Sequence, residues 1–130
     1  MSDRYRQLHD LSVAFLDAFN RYDLDAVMAY FTDDAVYEEL TGRVSRGREA
    51  IRAAFAPQFE GKFGPIQFIE DDTFIDPVAG KVMSSWDMTI DKDGKPLVMP
   101  GLDLLQFVGD RIVRKQTFVR SRSPLYRERG

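Results

Sequence analysis

The chain changes its hydrophobic period once, and that change decides what it can fold into. Leu8, Leu11, Phe15, Ala18 and Phe19 recur at three- and four-residue steps, which predicts an amphipathic helix over residues 5–21. Asp23 reads as the N-cap of a second, short helix carrying Leu24, Val27, Met28 and Phe31. Asp33-Asp34 marks a turn into a short strand, Ala35–Glu39. A loop from Gly42 to Gly47 leads to a third helix bearing Ile51, Ala54 and Phe55, with Pro57 at its end or in its last turn. From Pro65 onward the pattern is that of strands: Pro65–Ile75, Val82–Ile90, Leu97–Val108 and Ile112–Arg120. Asp91-Lys-Asp-Gly94 joins the second and third of these as a hairpin, and Gly109-Asp110 joins the third and fourth. Helices first and hairpin strands after them define an α+β domain with an antiparallel sheet.

At 130 residues there is room for one domain, 1–130, with a polar and basic tail, 121–130, expected to be flexible. A net charge of −3 argues against nucleic acid as a partner. The absence of cysteine removes disulfides and thiolate chemistry. No run approaches membrane-spanning length and the first residues lack an apolar signal core, so a cytoplasmic protein is expected. The sole histidine, His9, falls off the apolar face of its helix and has no second imidazole or cysteine with which to hold a metal. Asp91–Gly94 imitates the start of a calcium loop but lacks the later acidic ligand. Arg120, Arg122, Arg127 and Arg129 read as a solvated end of an acidic chain. Nothing calls for a cofactor.

Between Leu97 and Val108 the only charge is Asp103. So apolar a strand is expected to be buried on both faces. A carboxylate there must meet a partner or take a proton as burial lifts its pKa. Candidate partners are the arginines and Lys115 of the last strand; sequence leaves open whether Arg114 or Lys115 faces inward. Strand side chains alternate, so Trp86, Met88 and Ile90 share one face, as do Asp103, Leu105 and Phe107, and as do Tyr37 and Glu39. Glu38 must then point the other way. If those faces converge, they enclose an apolar pocket with a few carboxylates.

The run Asp23-Leu-Asp-Ala-Val-Met-Ala-Tyr-Phe-Thr-Asp-Asp-Ala-Val-Tyr-Glu-Glu39, then Gly47-Arg-Glu-Ala-Ile-Arg52, then the strand with Asp103, resembles the nuclear transport factor 2-like superfamily. Within it the chain is similar to the SnoaL-like proteins and ketosteroid isomerases over roughly residues 8–120. The resemblance implies a cone of three N-terminal helices packed on a strongly curved antiparallel sheet, enclosing a pocket and usually dimeric. It places the isomerase's general base on Glu39 and its protonated carboxylic acid, a hydrogen-bond donor to an enolate, on Asp103. The isomerase's tyrosine that donates to the developing oxyanion falls on Phe15 and the tyrosines that support it on Phe31 and Phe55; phenylalanine cannot donate, so an ordinary steroid isomerase is not expected. Tyr37 is a possible substitute hydroxyl.

Three functions follow as expectations. The first is isomerase- or cyclase-type proton transfer on a small hydrophobic molecule held by Phe15, Phe31, Tyr37, Phe55, Trp86 and Met88. The second is a carboxylate-assisted hydrolase or dehydratase, with Arg114 or Lys115 as its cation. The third is a non-catalytic module that binds a hydrophobic ligand or dimerises; a homodimer is expected in any case.

Overall fold

The computed structural model describes residues 2–122 and 129. Helix α1 spans Asp3–Asn20, its first turn capped by the Ser2 hydroxyl, which accepts from the Tyr5 amide at 3.1 Å. Helix α2, Leu24–Ala29, starts where expected, with the Asp23 carboxylate accepting from the Ala26 amide at 3.0 Å. It stops sooner than the periodicity predicts. Phe31 is fully buried but opens strand β1, Phe31–Glu38. The expected turn at Asp33-Asp34 is instead an irregular stretch inside that strand, where the register shifts between Phe31 and Val36 and both acids point to solvent. The Gly42–Gly47 segment also contains a short strand, β2, Val44–Arg46, paired with β1. Helix α3, Arg48–Phe59, carries Pro57 in its last turn.

Four strands follow: β3 (Ile66–Asp76), β4 (Lys81–Lys92), β5 (Lys95–Val108) and β6 (Arg111–Val119). Asp93 and Gly94, both at positive φ, make the two-residue hairpin turn between β4 and β5. The six strands form one sheet in the order β2-β1-β6-β5-β4-β3. Its pairings are antiparallel except one: β1 runs parallel to β6. Hairpin turns announce only neighbours in sequence, and these two strands are joined through α3 and the whole meander.

Helix α1 fastens the edge strand β3. The Asn20 side chain donates to the Phe68 carbonyl at 2.9 Å and accepts from its amide at 2.7 Å, in the manner of an adjoining strand. The inner face of the sheet packs on all three helices through Leu8, Phe15, Phe19, Val27, Phe31, Ile51, Phe55, Leu105 and Phe107. The outer face is less covered than expected. Strand β5 is buried on one side only, through Asp103, Leu105 and Phe107, whereas Leu104 and Val98 are exposed. A groove of about 720 Å³ on that outer face runs past Val36, Phe74, Met83 and Leu104.

The expected tail, 121–130, lies mostly outside the described residues, Arg127 included. Among those described, no helix is long and apolar enough to cross a membrane.

Candidate functional site

Pairing register brings a short polar row to the inner face. Tyr37 on β1 lies opposite Lys115 on β6, and Asp103 on β5 lies opposite Thr117 on β6. All four are buried. Trp86 reaches this row from β4 because it pairs with Gly101: a Cβ there would sit 2.6 Å from two atoms of the indole ring. The glycine gives the ring its space, and the indole Nε1 then donates to Asp103 Oδ2 at 3.2 Å.

Lys115 Nζ donates to Asp103 Oδ1 at 2.9 Å and to Thr117 Oγ1 at 2.6 Å, and the Thr117 hydroxyl donates in turn to the same Asp103 oxygen at 2.7 Å. The ammonium also lies 4.5 Å from the centre of the Tyr37 ring, with Phe55 and Phe19 at 5.6 and 5.8 Å. Burial pulls the Lys115 pKa down, but the charge of Asp103, then Tyr37, the Asp103 hydrogen bond and Glu39 together carry it above the ordinary lysine value. Lys115 is therefore a fixed cation. For Tyr37, burial is the main cause of a raised pKa; Lys115 and Thr117 oppose it while Asp103 and Glu39 add to it. The phenol stays neutral across the physiological range.

The neutral-donor role expected of Asp103 is corrected by this geometry. Its oxygens accept from an ammonium, a hydroxyl and an indole N–H, two of which can only donate. Asp103 is the anionic half of a buried ion pair and presents no proton to the interior. The cation left open between neighbours is Lys115. Arg114 faces outward, where its Nη2 pairs with Glu38 at 2.5 Å. Thr117, which sequence reasoning passed over, completes the cluster; its signal was its inward parity with Lys115.

Glu39 follows the last residue of β1 at a tight turn, its amide donating to the Arg43 carbonyl at 2.8 Å and its own carbonyl accepting from Gly42 at 2.8 Å. Its Oε2 is buried and is the only such side-chain nitrogen or oxygen without a hydrogen-bond partner among the described residues. Arg43 Nε stands 3.8 Å away, close enough to attract but too far to donate. Leaving a buried polar atom unpaired costs about 1–3 kcal/mol, and more for a charge.

The six residues expected to hold a ligand divide. Phe15, Phe31, Phe55 and Tyr37 pack in the core, in ring contacts such as Phe15–Phe31 at 5.7 Å and Tyr37–Phe55 at 4.7 Å. Trp86 and Met88 join Ile66 in a second cluster. Of the six, Met88 lines an apolar groove of about 580 Å³ between the end of α3 and the β4–β5 hairpin, with Leu40, Phe63, Ile66 and Met99.

This arrangement, a bent sheet with helices inside it and acids on its inner face, defines the class. The chain belongs to the SnoaL-like domain family, whose family model matches residues 13–115. Solved structures share the fold. A protein from Jannaschia sp. CCS1 named as a SnoaL-like polyketide cyclase is 16% identical, with a TM-score of 0.79 over 92% of this chain and 89% of that one. An uncharacterized cystatin-fold protein from Novosphingobium aromaticivorans is 26% identical, with a TM-score of 0.70 over 86% and 97%. A ketosteroid isomerase-like fold from Catenulispora acidiphila, solved with trimethylamine, is 19% identical, with a TM-score of 0.73 over 83% of each chain. No curated protein matches the chain in sequence.

Proposed function

We propose that the chain is a small-molecule enzyme that moves a proton at the carbon beside a carbonyl, with Glu39 as the general base. The observation that carries this reading is the Glu39 Oε2 atom, buried and without a hydrogen bond, its nearest cation Arg43 Nε at 3.8 Å, where the fold gives every other described polar atom of that kind a hydrogen-bond partner. An apolar substrate enters by the groove beside the β4–β5 hairpin, whose Leu40 follows Glu39 in the chain. The step needs no cofactor. The apolar outer face, with Phe74, Leu104 and Phe118 exposed, is the surface through which a homodimer forms.

Two other readings each have one observation in their favour. The apolar groove past Met88 and Met99 suits a module that holds a hydrophobic ligand without acting on it. The inward Lys115 suits a carboxylate-assisted hydrolase, but its ammonium is already committed to Asp103 and Thr117. Deuterium uptake beside the carbonyl of small apolar ketones in D₂O separates these readings. Glu39→Gln keeps the shape and removes the base, so uptake stops; ketones that bind and never exchange would leave only the binding module.

A further inference from the structure

The hairpin that joins β1 to β2 sets a cation against the proposed base. Glu39-Leu-Thr-Gly-Arg43 closes as a tight turn: the Gly42 amide donates to the Glu39 carbonyl at 2.8 Å, and the Glu39 amide to the Arg43 carbonyl at 2.8 Å. Gly42 sits at φ +88°, a left-handed conformation that glycine adopts without strain, and the turn thereby brings Arg43 across from Glu39. The Arg43 side chain is 78% exposed, and its Nε stands 3.8 Å from Glu39 Oε2. That oxygen is closed to solvent, so no water can bridge the two, and the guanidinium is part of what encloses it. Among the described residues none accepts a hydrogen bond from the five N–H groups of this guanidinium. The neighbouring carboxylate, Glu38, is held by Arg114 at 2.5 Å and does not compete for it.

We infer that Arg43 is a specificity-determining residue of this site: it binds the carboxylate of an oxo acid whose carbon chain lies in the groove beside the β4–β5 hairpin. The inference rests on the proton-transfer reading and names its substrate class.

A guanidinium presents a planar fork of donors that holds a carboxylate by two hydrogen bonds. Arg43 approaches Glu39 through Nε, which leaves both Nη nitrogens for a second anion. An uncharged ketone has nothing to offer them. Leu40 starts the turn and lines the groove, and Phe63, Met88 and Met99 continue it, so a chain anchored at Arg43 runs onto an apolar wall. In a 2-oxo acid the carboxylate, the carbonyl and the first acidic C–H follow one another as C1, C2 and C3. With C1 on Arg43, C3 lies two bonds further on, beside Glu39. Glu39 takes the C3 proton, the C–H pair becomes the C2=C3 bond, and the carbonyl π pair moves onto oxygen. Return of a proton from Glu39 to C3 reverses these shifts and restores the ketone. Drawing the guanidinium onto the substrate also takes it off Oε2, so the acid uncovers the base as it binds.

The test uses three molecules of one chain length: 2-oxooctanoate; octanoate, which has no ketone; and 2-octanone, which has no charge. Calorimetry reads binding, and nuclear magnetic resonance in D₂O reads exchange at C3. Wild-type protein should bind both acids more tightly than 2-octanone, and the Arg43 Nε–H resonance should shift with the acids. Arg43→Gln removes an exposed side chain's charge, so it folds. It should weaken both acids about 10- to 100-fold, the range for a hydrogen bond between charged groups, and leave 2-octanone unchanged. Exchange of 2-oxooctanoate should slow with it. Arg43→Lys should recover part of the loss, and Arg46→Gln, which removes an exposed arginine of β2, should cost nothing. The inference is overturned if wild-type protein binds the acids no better than 2-octanone, if Arg43→Gln binds them as wild type does, or if Arg46→Gln weakens them equally. Acids held through Arg43 without exchange would uphold the anion site and remove the reaction. Exchange that needs Glu39 but not Arg43, for acid and ketone alike, would keep the reaction and remove the inference.

Discussion

Replacing Lys115 by methionine removes the cation from a site that is only 4% exposed, against a carboxylate that is 5% exposed. Breaking a buried pair from one side costs about 3–5 kcal/mol, because the remaining charge keeps its desolvation and loses its counter-charge. Asp103 would retain only Thr117 and Trp86 as donors. Asp103→Leu alone carries a similar cost, leaving an ammonium among aromatic rings. The double variant leaves no buried charge in the pair, only the Trp86 N–H and the Thr117 hydroxyl short of an acceptor, at about 1–3 kcal/mol each. The two single costs therefore do not add: the singles together come to about 6–10 kcal/mol and the double to about 2–6, so the expected coupling is about 4 kcal/mol. Thermal or urea unfolding of the four proteins measures it. A domain of this size has about 5–15 kcal/mol in all, so each single variant lowers the melting temperature by about 10 °C or more and still folds. Arg114→Ala is the control: its exposed pair with Glu38 is worth under about 1 kcal/mol. A double variant as unstable as the sum of the singles would refute the claim that the two charges are bound to each other.

Two further outcomes are expected. Lys115 and Tyr37 both hold their protons more tightly folded than unfolded, so their contribution is complete below about pH 10 and declines as pH rises through and beyond the ordinary tyrosine and lysine values of 10.0 and 10.5. Unfolding free energies from pH 8 to 11.5 should show that decline, and Lys115→Met should flatten it; an unchanged slope would contradict it. Gly101→Ala puts a Cβ 2.6 Å from the Trp86 ring and from the Phe118 carbonyl oxygen, which should cost at least about 1–3 kcal/mol and shift the fluorescence of the one tryptophan. Unaltered emission and stability would show that the indole does not lean on this glycine.

Much of the fold could be read from the chain because its signals are local. The Asp23 cap, the Asp93-Gly94 turn and the inward parity of Asp103, Leu105 and Phe107 depend on residues a few positions apart. What stayed hidden depends on partners distant in sequence. The parallel pairing of β1 with β6 leaves no turn signature, and it is this pairing that sets Tyr37 against Lys115. Phe31 fits a helical period as well as it fits the start of a strand, and only the pairing with Ile112 decides between them. The state of Asp103 depends on distant partners for the same reason: its apolar neighbourhood leaves a paired and a protonated acid both open and the resemblance implies the protonated one, while the structure supplies a lysine, a threonine and a tryptophan from two other strands. Burial on both faces was likewise inferred from composition, and Leu104 and Val98 show that one face of β5 is open.

Everything functional turns on whether the Glu39 oxygen that lacks a hydrogen bond is a working base. The direct measurement is the rate of deuterium incorporation beside the carbonyl of a ketone that the protein binds, compared between wild type and Glu39→Gln of equal stability. A loss of about 100- to 10,000-fold in the variant, with binding of the ketone retained, is the predicted result. Equal rates in the two proteins would mean that the enclosed Glu39 oxygen has no chemical role, and the proton-transfer reading would fall.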